Sequence, residues 1–104
     1  MLPPDSQYEE SAVAESQEKV EEPPLFKVLL HNDDFTTMEF VVWVLESIFN
    51  MPEEQAIQVM LNVHLRGTGV AGIYTYEIAE TKVDKASALA REQEFPLLVT
   101  MEQA

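Results

Sequence analysis

The chain has 104 residues, 46% of them apolar, and its 19 acidic against 6 basic side chains give a net charge of −13, which suits one small domain with a modest core. The acidity excludes the basic footprint that nucleic-acid binding needs, and the absence of cysteine excludes a disulfide scaffold or a thiolate metal site. No apolar run reaches the ~18 residues of a membrane span and no secretory leader is visible, so the expectation is a soluble cytoplasmic protein, in the simplest case a monomer, with no role at a membrane.

Residues 1–22 hold seven acids and one base with few large apolar side chains. Such a segment cannot bury enough surface to offset its conformational entropy. This predicts a disordered acidic extension over residues 1–24, ended by Pro23-Pro24, and a folded domain over residues 25–104. Leu25 to Leu30 is an apolar run of strand length. His31-Asn32-Asp33-Asp34 stops it, because Asn and Asp favour Asx-turns. Thr36-Thr37-Met38-Glu39 fits a capping box with Thr36 at N-cap and Glu39 at N3. A first helix then runs from about Thr37 to Phe49, with Met38, Val41, Val42, Leu45, Ile48 and Phe49 as its apolar positions.

Pro52 at a first helical position, with Glu53 and Glu54 in the first turn, opens a second helix. Ala56, Ile57, Met60, Leu61, Val63 and His64 are expected on its inner side, and Gly67 at its C-terminal stop. Gly69 to Thr75 reads as a second strand. A third helix follows over about Tyr76 to Gln93, with Ile78, Val83, Ala86, Leu89 and Ala90 as buried candidates. Phe95-Pro96 breaks it, and Leu97 to Met101 forms a last strand. The order β-α-α-β-α-β predicts an α+β fold, a small sandwich of a three-stranded sheet with three helices on one face.

The polar residues that could carry chemistry are Asn32, Asp33 and Asp34 in the first turn and His64 near the end of the second helix. His64 shares a helical face with Met60, four residues earlier. If the two helices pack together, acceptors and negative charge stand beside Met38, Val41, Met60 and Val63. That combination suits a cation attached to an apolar group, such as a free N-terminal ammonium and its side chain. Taken singly, the same residues equally suit turn and capping chemistry and plain core packing. A metal site from His31, Asp33, Asp34 and His64 would lack HExxH or comparable spacing. No G-x-S-x-G elbow or thiol nucleophile occurs.

Four segments go further. Phe26-Lys27-Val28-Leu29-Leu30-His31-Asn32-Asp33-Asp34-Phe35-Thr36-Thr37-Met38-Glu39-Phe40-Val41 resembles the signature of ClpS, the bacterial adaptor of the Clp protease. So do Val59 to His64, Glu77 to Val83 and Phe95 to Thr100. The resemblance implies an α/β sandwich of three strands and three helices. It implies an adaptor, not an enzyme, without cofactor or metal, that binds proteins whose first residue is Leu, Phe, Tyr or Trp, the N-degron signal of the N-end rule. Its partners would be those substrates and the ClpA-type AAA+ unfoldase that feeds the ClpP peptidase. Matched by motif, Asn32, Asp33 and His64 would bind the substrate's α-amino group, and Asp34 and Thr36 would shape the turn and hold substrate backbone. Met38, Val41, Met60, Val63 and Leu97 would line the side-chain pocket, with Met38 as a gate against β-branched residues. Glu77 and Lys82 match positions used at the unfoldase surface. The family often has proline where Thr37 stands, and its N-terminal extensions enter the unfoldase pore. A module like the C-terminal domain of the ribosomal stalk protein shares a comparable small fold, but has no need of an ammonium pocket.

Overall fold

The computed structural model describes residues 22–104. The extension expected over residues 1–24 therefore lies, apart from its last three residues, outside the described residues. The elements are β1 (Leu25–His31), α1 (Met38–Ser47), α2 (Glu53–Arg66), β2 (Thr68–Thr75), α3 (Tyr76–Glu92) and β3 (Leu98–Gln103). The expected order and α+β class hold. Both neighbours of β1 run antiparallel to it, in the sheet order β2-β1-β3.

The period of two in β1 decides which face is covered. Val28 and Leu30 are fully buried. Their β3 partners are Met101 and Val99, and their β2 partners Gly72 and Gly69. The alternate residues face outward, where Lys27 pairs with Glu102 at 3.8 Å and His31 Nε2 lies 2.7 Å from Thr100 Oγ1. Between Val28 and Leu29 the register slips so that Ala71 is an extra residue on β2. This bulge turns the small, buried Ala71 toward the core. Gly69 allows α2 to press on the strand, since a Cβ there would stand 2.7 Å from Val63 Cγ2.

The helix starts correct the sequence reading in one respect. The N-cap of α1 is Thr37, whose Oγ1 accepts from the Phe40 amide at 3.1 Å, so the Thr36–Glu39 capping box does not form. Thr36 is instead drawn into the preceding turn by Asp33. Position 37 has φ −74, a value that proline also adopts, but a proline could not supply the capping oxygen. Pro52 is likewise the N-cap of α2 and not its first residue. Gly67 ends α2 in the left-handed region at φ 92, as a helix stop requires.

Helix faces were less legible. In α1 the buried residues are Phe40, Val41, Val44 and Leu45, so Phe40 and Val44 join the expected set and Met38 is only partly covered. In α2 the core positions are Ala56 and Val63, supported by Val59 and Met60. Ile57 and Leu61, expected inside, are exposed. In α3 the buried residues are Ala79, Ala86 and Ala90, whereas Ile78 is half exposed. Small residues let this helix lie close to the sheet, so the bulkiest apolar position is not the inward one. Lys82 Nζ donates to the Ile48 carbonyl at 2.6 Å, tying α3 to the end of α1 where helical carbonyls lack partners. None of the described helices is long and apolar enough to cross a membrane.

Candidate functional site

The turn after β1 is organised by one side chain. Asp33 Oδ1 accepts from the amides of Phe35 (2.8 Å) and Thr36 (2.7 Å), and Oδ2 accepts from Thr36 Oγ1 at 2.6 Å. Burial pushes the Asp33 carboxyl upward. The bonds from the Thr36 side chain and from the Thr36 and Phe35 amides outweigh it and hold the group below the ordinary aspartate value. Asp33, and not Asp34, thus shapes the turn together with Thr36. A second bond places the turn in space, because the Asn32 amide donates to the Gly67 carbonyl at 2.8 Å. The end of β1 is thereby fastened to the end of α2, and His64 is brought to Asn32 and Asp33.

Between the turn, the start of α1 and α2 lies a cavity of about 260 Å³. Asn32, Asp33, Asp34, Thr36 and His64 supply its polar wall, and Met38, Val41, Met60 and Val63 its apolar wall. Val41 and Val63 are buried, so the apolar floor is part of the core, while Met38 is 43% exposed at the opening. All nine lining residues are among those singled out in the sequence. Leu97 is not among the nine lining residues; like Val41 and Val63 it is buried. Glu77 and Lys82 lie elsewhere, on α3. Glu77 is exposed, whereas Lys82 is partly buried with its ammonium on Ile48 and 5.8 Å from the Tyr74 ring centre.

The wall offers carboxylate, amide and imidazole acceptors and no Lys or Arg. It suits a cationic group with hydrogens to donate, attached to an apolar group that fills the floor. Metal ligation is not assembled among the described residues, where no group of three or more His, Asp or Glu could hold an ion. His31, the fourth candidate ligand, points to Thr100 on the other face of the sheet. A second cavity, about 230 Å³, is lined by Phe40, Trp43, Leu89 and Gln93. It was not anticipated, and only the aromatic pair Phe40 and Trp43 three residues apart hinted at it.

A family model described as ATP-dependent Clp protease adaptor protein ClpS matches residues 21–100. The chain belongs to the ClpS family. A ClpS of Methylococcus capsulatus is 58% identical over 93 residues, covering 89% of this chain and 88% of its own. Another, of Myxococcus xanthus, is 50% identical over 98 residues and 92% of each chain. Both are named ATP-dependent Clp protease adapter proteins. Among solved structures, Agrobacterium tumefaciens ClpS2 bound to L-phenylalaninamide is similar at a TM-score of 0.77 and 42% identity, over 80% of this chain and 100% of that one. The ClpS match spans all six elements of the fold except the last residues of β3, so it includes every residue of the cavity wall.

Proposed function

We propose that the 260 Å³ cavity holds the first residue of another polypeptide, and that the chain is a non-catalytic adaptor delivering such proteins to the ClpA unfoldase of the ClpAP protease. The observation that carries this reading is the meeting of an acceptor-rich wall with an apolar floor in one cavity. Its chemistry matches the ligand of Agrobacterium tumefaciens ClpS2, L-phenylalaninamide, a molecule that joins a free α-amino group to a benzyl side chain.

In this reading the α-ammonium gives its three hydrogens to Asn32, Asp33 and His64, the imidazole accepting through a neutral ring nitrogen. Asp33 is already fixed by three intramolecular bonds, so it loses little freedom on binding, and its depressed pKa keeps the carboxylate ionised. Asp34 and Thr36 hold the backbone that follows. The first side chain descends between Met38, Val41, Met60 and Val63. Burying Leu or an aromatic ring there contributes roughly 1.5–3 kcal/mol. Two methionines suit a floor that must accept Leu, Phe, Tyr and Trp, because thioether chains adapt their shape and contact rings favourably. Met38, at the opening, is the gate on which a branch at Cβ collides.

Delivery is assigned to two further places. Glu77, exposed in the first turn of α3, is free to meet the unfoldase. Lys82 would first have to leave the Ile48 carbonyl. The acidic extension over residues 1–24 enters the unfoldase pore, and the adaptor works in the bacterial cytoplasm as a monomer. Removing residues 1–22 should leave peptide binding intact and abolish delivery in a reconstituted degradation assay; intact delivery would remove the extension from the mechanism. The test of recognition is fluorescence anisotropy with peptides that begin with Phe, Val or acetylated Phe. Binding of free Phe alone is expected. Equal binding of all three, or of none, would overturn the assignment.

A further inference from the structure

Phe35 and Leu65 are the most exposed of the exposed large apolar side chains among the described residues, at 76% and 75%, ahead of Leu98 at 56%. Both are chain neighbours of residues on the cavity wall. Phe35 stands between the wall residues Asp34 and Thr36, and its amide is fastened to Asp33 Oδ1 at 2.8 Å. Leu65 follows His64 on α2, and Leu61, also exposed, follows Met60. Each helical residue turns about 100° from the last. Val63, Met60 and His64 therefore pass from core to cavity wall, and Leu61 and Leu65 continue the same surface outward to solvent. The bond from the Asn32 amide to the Gly67 carbonyl holds the turn bearing Phe35 against the end of α2 bearing Leu65. Single exposed apolar side chains are ordinary, but these two adjoin wall residues on two sides of one opening.

We infer that Phe35 and Leu65 form an outer apolar lip that takes the second residue of the bound polypeptide, favouring Leu, Phe or Tyr there over Gly or Ser. The inference rests on the first-residue reading above. With the ammonium at Asn32, Asp33 and His64 and the first side chain on the floor, the chain leaves across the opening. Its second side chain then emerges between the turn and α2. A medium or large apolar group there covers surface that both partners otherwise expose to water. Partial burial of one such side chain corresponds to roughly 5- to 10-fold in affinity.

The experiment is anisotropy with labelled peptides that all begin with free Phe and differ only at the second residue, Leu, Tyr, Gly or Ser. It is run on the full chain and on the Phe35→Ser, Leu65→Ser double variant. Neither substitution opens the core, so folding should be retained, with circular dichroism as the check. The expected result is tighter binding of the Leu and Tyr peptides to the unaltered chain, by roughly 5- to 10-fold. The double variant should bind all four at the strength of the Gly peptide. Equal affinities on the unaltered chain, or a preference that survives in the variant, would overturn the lip alone. Failure of every free-Phe peptide to bind would overturn the first-residue reading and the lip together. A variant that lost self-association in sedimentation but kept the second-residue preference would give the two side chains to a contact between copies, which also overturns it.

Discussion

The cavity between the β1–α1 turn and α2 and the one between α1 and α3 are of similar size, and they differ in what surrounds them. The first, about 260 Å³, lies between the β1–α1 turn and α2, with five polar residues on its wall. The second, about 230 Å³, lies between α1 and α3, where Phe40, Trp43 and Leu89 meet one amide, Gln93. Volume therefore does not separate them. In the first, a carboxylate preorganised by three hydrogen bonds stands over an apolar floor continuous with the core. In the second, the Phe40 and Trp43 rings stack with centres 5.9 Å apart, and Phe40 meets Phe95 at 4.8 Å. The second is thus the seam of an aromatic cluster, and its contacts hold α1 to the segment before β3. A recognition site needs directional groups whose positions are fixed before the ligand arrives, and of these two cavities the first has them.

The sharpest way to break this contrast is Asp33→Ala. It should weaken binding of a peptide beginning with free Phe by roughly 2–5 kcal/mol, read by anisotropy. Asp33→Asn keeps an oxygen for the two amides and removes the charge, so it separates turn geometry from ammonium pairing. An unchanged affinity in both would take Asp33 out of the site. Next in size is Met38→Ala, which should admit Val or Ile first residues and reduce the Phe-over-Val discrimination by roughly 1–3 kcal/mol. A panel with unaltered rejection would place the gate elsewhere.

The pH dependence should follow from the two charges. The Asp33 pKa is lowered in the folded chain, so its contribution to stability is present above the unfolded value near 4 and is lost as pH falls through the lower folded value. The peptide ammonium loses its proton above roughly pH 8. Binding should therefore fall as pH rises past about 8. A titration that kept full affinity at pH 10 would argue against ammonium recognition.

Smaller effects come from the helix start and the second cavity. Thr37→Ala removes the cap bond to the Phe40 amide and should lower stability by about 1 kcal/mol in denaturant melts, with a modest loss of peptide affinity because Met38 is the next residue. Trp43→Ala should lower stability by about 1 kcal/mol through the lost aromatic stacking and leave peptide binding unchanged. A large binding defect in Trp43→Ala would erase the distinction between the two cavities.

The residues of the candidate site were legible through the resemblance of the segment around Asn32, Asp33 and Met38 and the segment ending in His64 to the ClpS signature, since taken singly they equally suit turn chemistry and core packing. What was misread were faces and roles. Thr36 was expected to cap α1, but a hydroxyl there has two possible partners, the helix amide and the Asp33 carboxylate, and the charged acceptor wins. Ile57, Leu61 and Ile78 were expected inside because they are apolar. Yet Ala56, Val63 and Ala79 occupy the inner lines of their helices, since the distance between helix and sheet selects for size as well as polarity. Leu97, which the resemblance places in the pocket, is buried like the floor residues Val41 and Val63, and burial alone does not separate a floor residue from a core residue.

By itself the sequence determined the order of the elements, their turns and stops, and the residue types that could meet an ammonium and an apolar side chain. These are local matters, governed by strand and helix periodicity, by Asx chemistry at Asn32-Asp33-Asp34 and by the left-handed freedom of Gly67. Only the tertiary structure decided that the end of β1 is bonded to the end of α2 through Asn32 and Gly67. That contact bridges 35 positions of sequence and brings His64 to Asp33. It depends on how closely α2 settles on β2 over Gly69, a packing distance that no run of residues encodes on its own.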